Sequence, residues 1–132
     1  GEESGALEPY LLEYFRDTPP ASREMLELAT AAALTLKDKE RFWSLLSLYR
    51  ENGLKIPRHA QEAALLFAHR DRREISEISG IDDATRGEFA RLLNAMELQR
   101  ATTGDALVDL LRRSFGRTYW YYYFAVKDLK TN

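Results

Sequence analysis

The sequence predicts an all-α fold of stacked antiparallel helical hairpins, with about seven to eight helices. Three observations carry that expectation. Apolar residues recur at helical spacing along almost the whole chain. Strong stops at Pro19-Pro20, Asn52-Gly53, Gly80, Thr102-Thr103-Gly104 and Gly116 cut the pattern into segments of roughly ten to sixteen residues with short links, which favours antiparallel neighbours. No segment alternates apolar and polar residues as a half-buried strand would. Only Tyr119 to Val126 is rich in strand formers, and its apolar character does not alternate.

The elements follow in order. Leu11, Tyr14 and Phe15 share one face of a first helix over Glu8 to Asp17, with Pro9 suited to its first turn. A second helix starts at Ala21 or Ser22, with Ser22 a candidate cap and a stripe of Met25, Leu28, Ala29, Ala32, Ala33 and Leu36. The small Ala31-Ala32-Ala33 run would admit a close neighbour. Phe42, Leu45, Leu46 and Tyr49 define the third helix, and Gly53 is free to take the positive φ that ends it. Lys55-Ile56-Pro57 reads as an extended link, because a proline biases the residue before it away from helix. Pro57 opens a fourth helix bearing Ala60, Ala63, Ala64 and Phe67. A short fifth is expected from Asp71 to Ile78. The sixth runs from Asp83 to Arg100, capped by Asp82 or Asp83, with Phe89, Leu92, Leu93 and Met96 aligned. The seventh, Asp105 to Ser114, carries Leu107, Leu110 and Leu111, and Thr118 caps an eighth through Leu129. The expected core is Leu28, Ala32, Phe42, Leu45, Leu46, Tyr49, Ala64, Phe67, Phe89, Leu92, Leu93, Met96, Leu107 and Leu111.

A chain of 132 residues fits a single domain over 1–132. Hydrophobic residues at 45% and charged residues at 30% argue against disorder. A net charge of −2 gives no global pull toward nucleic acid or anionic lipid. The absence of cysteine removes disulfides, thiolate nucleophiles and cysteine-ligated zinc. No apolar run approaches the ~20 residues that span a bilayer, and no basic stretch leading into an apolar one opens the chain as a signal peptide would. Gly1 reads as a scar of tag cleavage, and the remainder as a piece of a larger protein.

Stacked hairpins of this size resemble tetratricopeptide-type repeats, in which each helix pair buries its face on its neighbours. No clean period carrying that family's Trp, Gly, Tyr, Ala and Pro positions overlies the chain, so an irregular bundle is the alternative. Two stretches are more specific. Ile56-Pro57-Arg58-His59-Ala60-Gln61-Glu62-Ala63 reads as a Pro-x-His-x-Gln-Glu-Ala helix start. Phe115-Gly116-Arg117-Thr118-Tyr119-Trp120-Tyr121-Tyr122-Tyr123-Phe124 reads as a Phe-Gly-x-Thr-Tyr-Trp-Tyr-Tyr block. Together they resemble the C-terminal soluble helical region of an uncharacterised bacterial membrane-protein family. That resemblance implies membrane association through a parent protein and transfers no functional residues.

Chemistry-bearing patterns are sparse. His59 and His69 are too far apart in sequence to converge on one helix face, although His59 and Glu62 have i, i+3 spacing. Glu24, Glu27, Glu40, Glu62, Glu88, Glu97 and Asp109 read as solvated helix faces, with Asp38–Arg41 and Glu97–Arg100 spaced for ion pairs. No nucleophile elbow, phosphate loop or dinucleotide fingerprint is present. The arginines of His69-Arg70-Asp71-Arg72-Arg73-Glu74, and Arg112, Arg113 and Arg117, adjoin acids and read as solvated turns.

The aromatic run Tyr119 to Phe124 is the unusual feature, because six consecutive rings on a helix point in all directions. Tyr119, Tyr122, Tyr123 and Val126 are expected to form the main core stripe, with Trp120 and at least two of its aromatic neighbours buried. Tyr121 is the expected most exposed ring. The sequence therefore points to a non-enzymatic helical module for protein–protein contact, with Trp120, Tyr121, Phe124 and Arg117 as candidate contacts. The expected partner is another protein or the parent membrane protein, with proximity to a membrane as a further expectation. No metal, cofactor, small-molecule ligand or nucleic acid is expected. The alternatives are a structural tail packed on its parent, or an enzyme of a type the motifs do not reveal.

Overall fold

Ser22 begins the described part of the chain: the computed structural model describes residues 22–99 and 104–126. The expected first helix over Glu8 to Asp17, the Arg100 ion pair, Thr102-Thr103 and everything past Val126 lie outside the described residues. Within them are six α-helices, one 3₁₀ turn and no strand. The helices are α1 (Arg23–Thr35), α2 (Lys39–Glu51), α3 (Arg58–Arg70), α4 (Asp83–Leu98), α5 (Gly104–Phe115) and α6 (Tyr119–Ala125). The described residues fall into two compact units, 22–60 and 61–126.

In the first unit Ser22 caps α1 by accepting the Met25 amide at 3.2 Å. Asp38 caps α2 by accepting the Arg41 backbone amide at 3.1 Å, a contact different from the side-chain ion pair that the spacing suggested. Both helices end the same way. Lys37 and Gly53 adopt positive φ, and the next amides turn back to bond the Ala33 and Tyr49 carbonyls. Gly53 is at home there, whereas Lys37 accepts the left-handed penalty of roughly 1–2 kcal/mol for an L-residue. The short link makes α1 and α2 pack against each other. Phe42, Leu45, Leu46 and Tyr49 are buried as expected, and the Thr30 and Tyr49 hydroxyls share a hydrogen bond at 3.3 Å.

One side of α1 differs from expectation. Ala29, Ala32 and Ala33 are buried as expected, but they are joined by Leu26, Thr30 and Leu34, while Leu28 is 51% exposed. Two residues of helix rotate a side chain by about 200°, so choosing Leu26 for the core turns Leu28 outward.

The second unit holds α3 beyond its first turn, then α4, α5 and α6. Every residue of α3 from Ala60 to Ala68 is buried, as befits a helix apolar almost all round. Its C-terminus closes on Arg72 at φ 59, with the Arg72 amide donating to His69 and the Arg73 amide to Ala68. That left-handed residue replaces the expected fifth helix from Asp71 to Ile78, of which only the 3₁₀ turn Ile75–Glu77 forms. Arg86 reaches across from α4, donating to the Ile75 carbonyl at 2.8 Å and also to that of Ile78.

Leu65 and Leu66 of α3, Phe89 and Leu92 of α4, Leu111 and Phe115 of α5 and Trp120 of α6 form one buried cluster. Leu93, Met96 and Leu107, expected in the core, pack against its margin and are partly buried. Gly116 separates α5 from α6 for a steric reason: a Cβ there would sit 2.7 Å from the Arg112 carbonyl oxygen. Thr118 caps α6, accepting the Tyr121 amide at 3.3 Å and donating to the Phe115 carbonyl at 2.7 Å. The helix stops at Ala125, short of the expected Leu129, because Val126 is extended with ψ 130°.

Candidate functional site

The two sequence blocks singled out above meet inside the second unit. Glu62 is 2% exposed. Its Oε1 accepts the Tyr119 amide at 2.8 Å, at the N-terminus of α6. Its backbone carbonyl accepts the Trp120 indole Nε1–H at 2.9 Å. A carboxylate at a helix N-terminus satisfies a donor that the helix itself cannot and complements the helix dipole. The neighbouring Gln61 holds the residue that leads into α4. Its Oε1 accepts the Asp82 amide at 2.8 Å, and its Nε2 donates to Asp82 Oδ2 at 3.2 Å. Gln61 and Glu62 thus set the starts of two other helices from adjacent positions on α3. His59 is exposed on the first turn, and Glu62 is committed to Tyr119. Among the described residues no group of three or more His, Asp or Glu could hold a metal ion.

With its start fixed, α6 distributes its rings to two sides. Trp120 is 0% exposed and packs on Phe89 at 5.4 Å and Phe115 at 6.1 Å between ring centroids. Tyr119 and Tyr123 pack edge-on to Phe67 at 6.0 and 5.9 Å. This corrects the expected stripe. Trp120 and Tyr119 are the buried rings, Tyr122 and Tyr123 are half-buried, and Val126 is exposed. Tyr121, expected to be the most exposed ring, is half-buried and packs against the core cluster. Helical geometry distributed the rings around the axis as anticipated, but two faces of α6 are covered rather than one.

At the end of α3 opposite Glu62, an open cavity of about 370 Å³ lies between α3, α4 and α6. Its apolar walls are Leu66, Phe89, Leu92, Leu93, Met96 and Phe124. His69, Arg70 and Arg72 form its rim, and none of the described residues lining it is acidic. The Arg70 guanidinium lies over the Tyr123 and Phe124 rings, 5.3 and 5.6 Å from their centroids. Cation–π contacts of this kind hold a guanidinium in place without neutralising it. The His69 ring stands edge-on to Phe89 at 5.8 Å. Arg72 is presented by the left-handed residue that ends α3. Neither Arg70 nor Arg72 meets a carboxylate among the described residues.

Of the four residues singled out from sequence, Phe124 lines this cavity. Arg117 is exposed elsewhere on the α5–α6 turn, Tyr121 packs on the core, and Trp120 offers no surface. Arg112 of the second basic cluster pairs with Asp109 on its own helix, and Arg113 donates to the Asp109 carbonyl at 3.3 Å. The basic rim was visible in the sequence as the His69 to Arg73 run. Acids interleaved with these arginines in sequence favoured reading them as solvated turns, whereas none of the described residues lining the cavity is acidic. Among the described residues no helix is long and apolar enough to cross a membrane.

The chain belongs to a family of unknown function (DUF6057), which it matches over residues 6–125. No curated protein and no solved structure matches it.

Proposed function

Within that family, we propose that this chain is a non-enzymatic helical module that holds a protein partner, as the soluble part of a larger membrane-associated protein. The observation that carries this reading is the cavity beside α6, which combines apolar walls with a basic rim that holds no acid among the described residues. Apolar centres edged by polar groups, rich in aromatic, Met and Arg side chains, are the composition of protein contact sites. Tetratricopeptide-like stacking of the hairpins is part of the same proposal, since helix pairs in such stacks present concave faces to partners. The placement beside a membrane rests on the resemblance of the two motif blocks.

The competing reading is a structural tail whose cavity is filled by its own parent protein. A photo-crosslinking residue in place of the exposed His69, in the full-length protein in its native cells, separates the two. We expect a crosslink to a second polypeptide that is absent when the same residue replaces Glu51. A crosslink confined to the parent chain would instead support the structural tail.

A further inference from the structure

We infer that the occupant of this cavity is an acidic peptide segment of another polypeptide, anchored by a large apolar side chain and held by its carboxylates on Arg70 and Arg72. This rests on the partner-binding reading above and names the chemistry of the partner.

The argument is one of complementarity. A space of about 370 Å³ lies at the small end of ligand cavities and suits one or two bulky side chains rather than a large cofactor. Its apolar walls demand an apolar occupant, and Met96 supplies an adaptable thioether at the contact. The rim demands negative charge. Its two guanidiniums are unneutralised by any described carboxylate, in a chain whose net charge is −2. Carboxylates take a guanidinium's fork of donors well. Stacking on Tyr123 and Phe124 restricts Arg70 before the ligand arrives, which lowers the entropy lost on pairing.

Arg72 occupies the left-handed position that ends α3, as Lys37 does after α1, and glycine would be favoured there by roughly 1–2 kcal/mol. An anionic bilayer fits less well. The site is concave rather than a flat basic face, and a bilayer surface cannot enter a cavity of this size. Two guanidiniums are also too few to track a nucleic-acid backbone.

The test is fluorescence anisotropy on the 132-residue chain with a short labelled peptide whose Leu-Phe pair is flanked by glutamates. Two control peptides replace the glutamates by glutamines or the Leu-Phe pair by serines. We expect both controls to bind at least about tenfold more weakly and the parent peptide to weaken with added salt. Arg70→Gln and Arg72→Gly should each weaken it several-fold, and together about tenfold. Arg72→Gly should do so while keeping or raising the thermal midpoint, which a merely structural role for Arg72 would not allow.

Undiminished binding of the glutamine peptide, or no loss in a folded double variant, overturns the inference. If the double variant does not fold, the two control peptides on the unaltered chain decide alone. Arginine-dependent retention on phosphatidylglycerol vesicles without peptide binding would also overturn it, in favour of a lipid headgroup. A crosslinked protein partner combined with no affinity for the acidic peptide would sink the occupant's chemistry and leave the partner-binding reading standing.

Discussion

The α1–α2 hairpin and the α5–α6 pair are both joined by tight links, yet different forces hold them. Helices α1 and α2 have thirteen residues each. Their caps, stripes and stops all lie within their own sequence. Helix α6 has seven residues, well below the ~12–15 at which an isolated helix becomes even marginally stable in water. It persists because α3 supplies what it lacks: a carboxylate for the Tyr119 amide, a carbonyl for the Trp120 indole, and an apolar seat for both rings. A long helix can be specified locally, whereas a short one exists only as tertiary structure.

The sharpest way to break that contrast is to remove the seat. Trp120→Ala should destabilise the chain by about 3–5 kcal/mol, the usual cost of deleting a buried large aromatic. Hydrogen exchange should show the α6 amides losing protection first, since nothing within seven residues replaces the lost contacts. Leu46→Ala in α2 should also cost about 2–5 kcal/mol, but α2 should retain graded protection. Equal, simultaneous loss of protection throughout α2 and α6 in both variants would erase the distinction.

Removing the polar tether should have the next largest effect. Glu62→Leu keeps an apolar side chain in the site but leaves the Tyr119 amide without its carboxylate, at an expected cost of about 1–3 kcal/mol. Glu62→Gln preserves an acceptor but gives up the charge, and should cost less. Denaturant midpoints of the two variants check the order. If Gln costs as much as Leu, the charge matters more than the hydrogen bond.

This asymmetry also explains what could be read from the sequence. The α-helical class, Ser22 and Thr118 as caps, Gly53 as a stop and the Phe42–Tyr49 stripe were all legible, because each depends on neighbours within a turn or two. The Asp71 to Ile78 helix was misread because Arg72 takes a backbone conformation that residue type does not announce. Glu62 looked like a solvated carboxylate because its partners are more than fifty residues away. The cavity was partly legible. Its aromatic wall at Phe124 was singled out, and its basic rim was noticed but dismissed. Only the three-dimensional arrangement shows that Arg70 and Arg72 line a cavity whose described lining residues include no acid.

Alkaline pH should act on the hairpin through Tyr49. Burial raises its pKa above the ordinary 10.0, with the Thr30 hydrogen bond opposing that rise; Glu27 adds to the rise and Arg23 opposes it. The folded state therefore holds its phenolic proton more tightly than the unfolded state. The associated stability is intact below about pH 10 and is lost as pH rises through the folded-state pKa. Tyr49→Phe removes the hydroxyl and its bond to Thr30, at a cost of about 1 kcal/mol near neutrality. It should also flatten the decline above about pH 10. Urea midpoints at neutral and alkaline pH give both quantities. A decline of unchanged slope in the variant would assign it to other groups.

The smallest expected effect tests the face assigned to α1. Leu28 and Leu26 are separated by a single residue, and sequence favoured Leu28 because it extends the Met25, Ala29, Ala32 series. The structure buries Leu26 at 3% exposure and leaves Leu28 at 51%. A half-exposed leucine has little transfer energy left to lose and leaves no cavity when shortened, so Leu28→Ala should change stability by less than about 0.5 kcal/mol. Alanine's better helix propensity even offsets part of that. Leu26→Ala removes a packed side chain and should cost about 2–5 kcal/mol. Because the two substitutions are chemically identical and sit on the same helix, propensity cancels between them and only burial remains. A cost for Leu28→Ala equal to that of Leu26→Ala would mean that another surface covers Leu28 in solution. The local specification of the hairpin would then be incomplete.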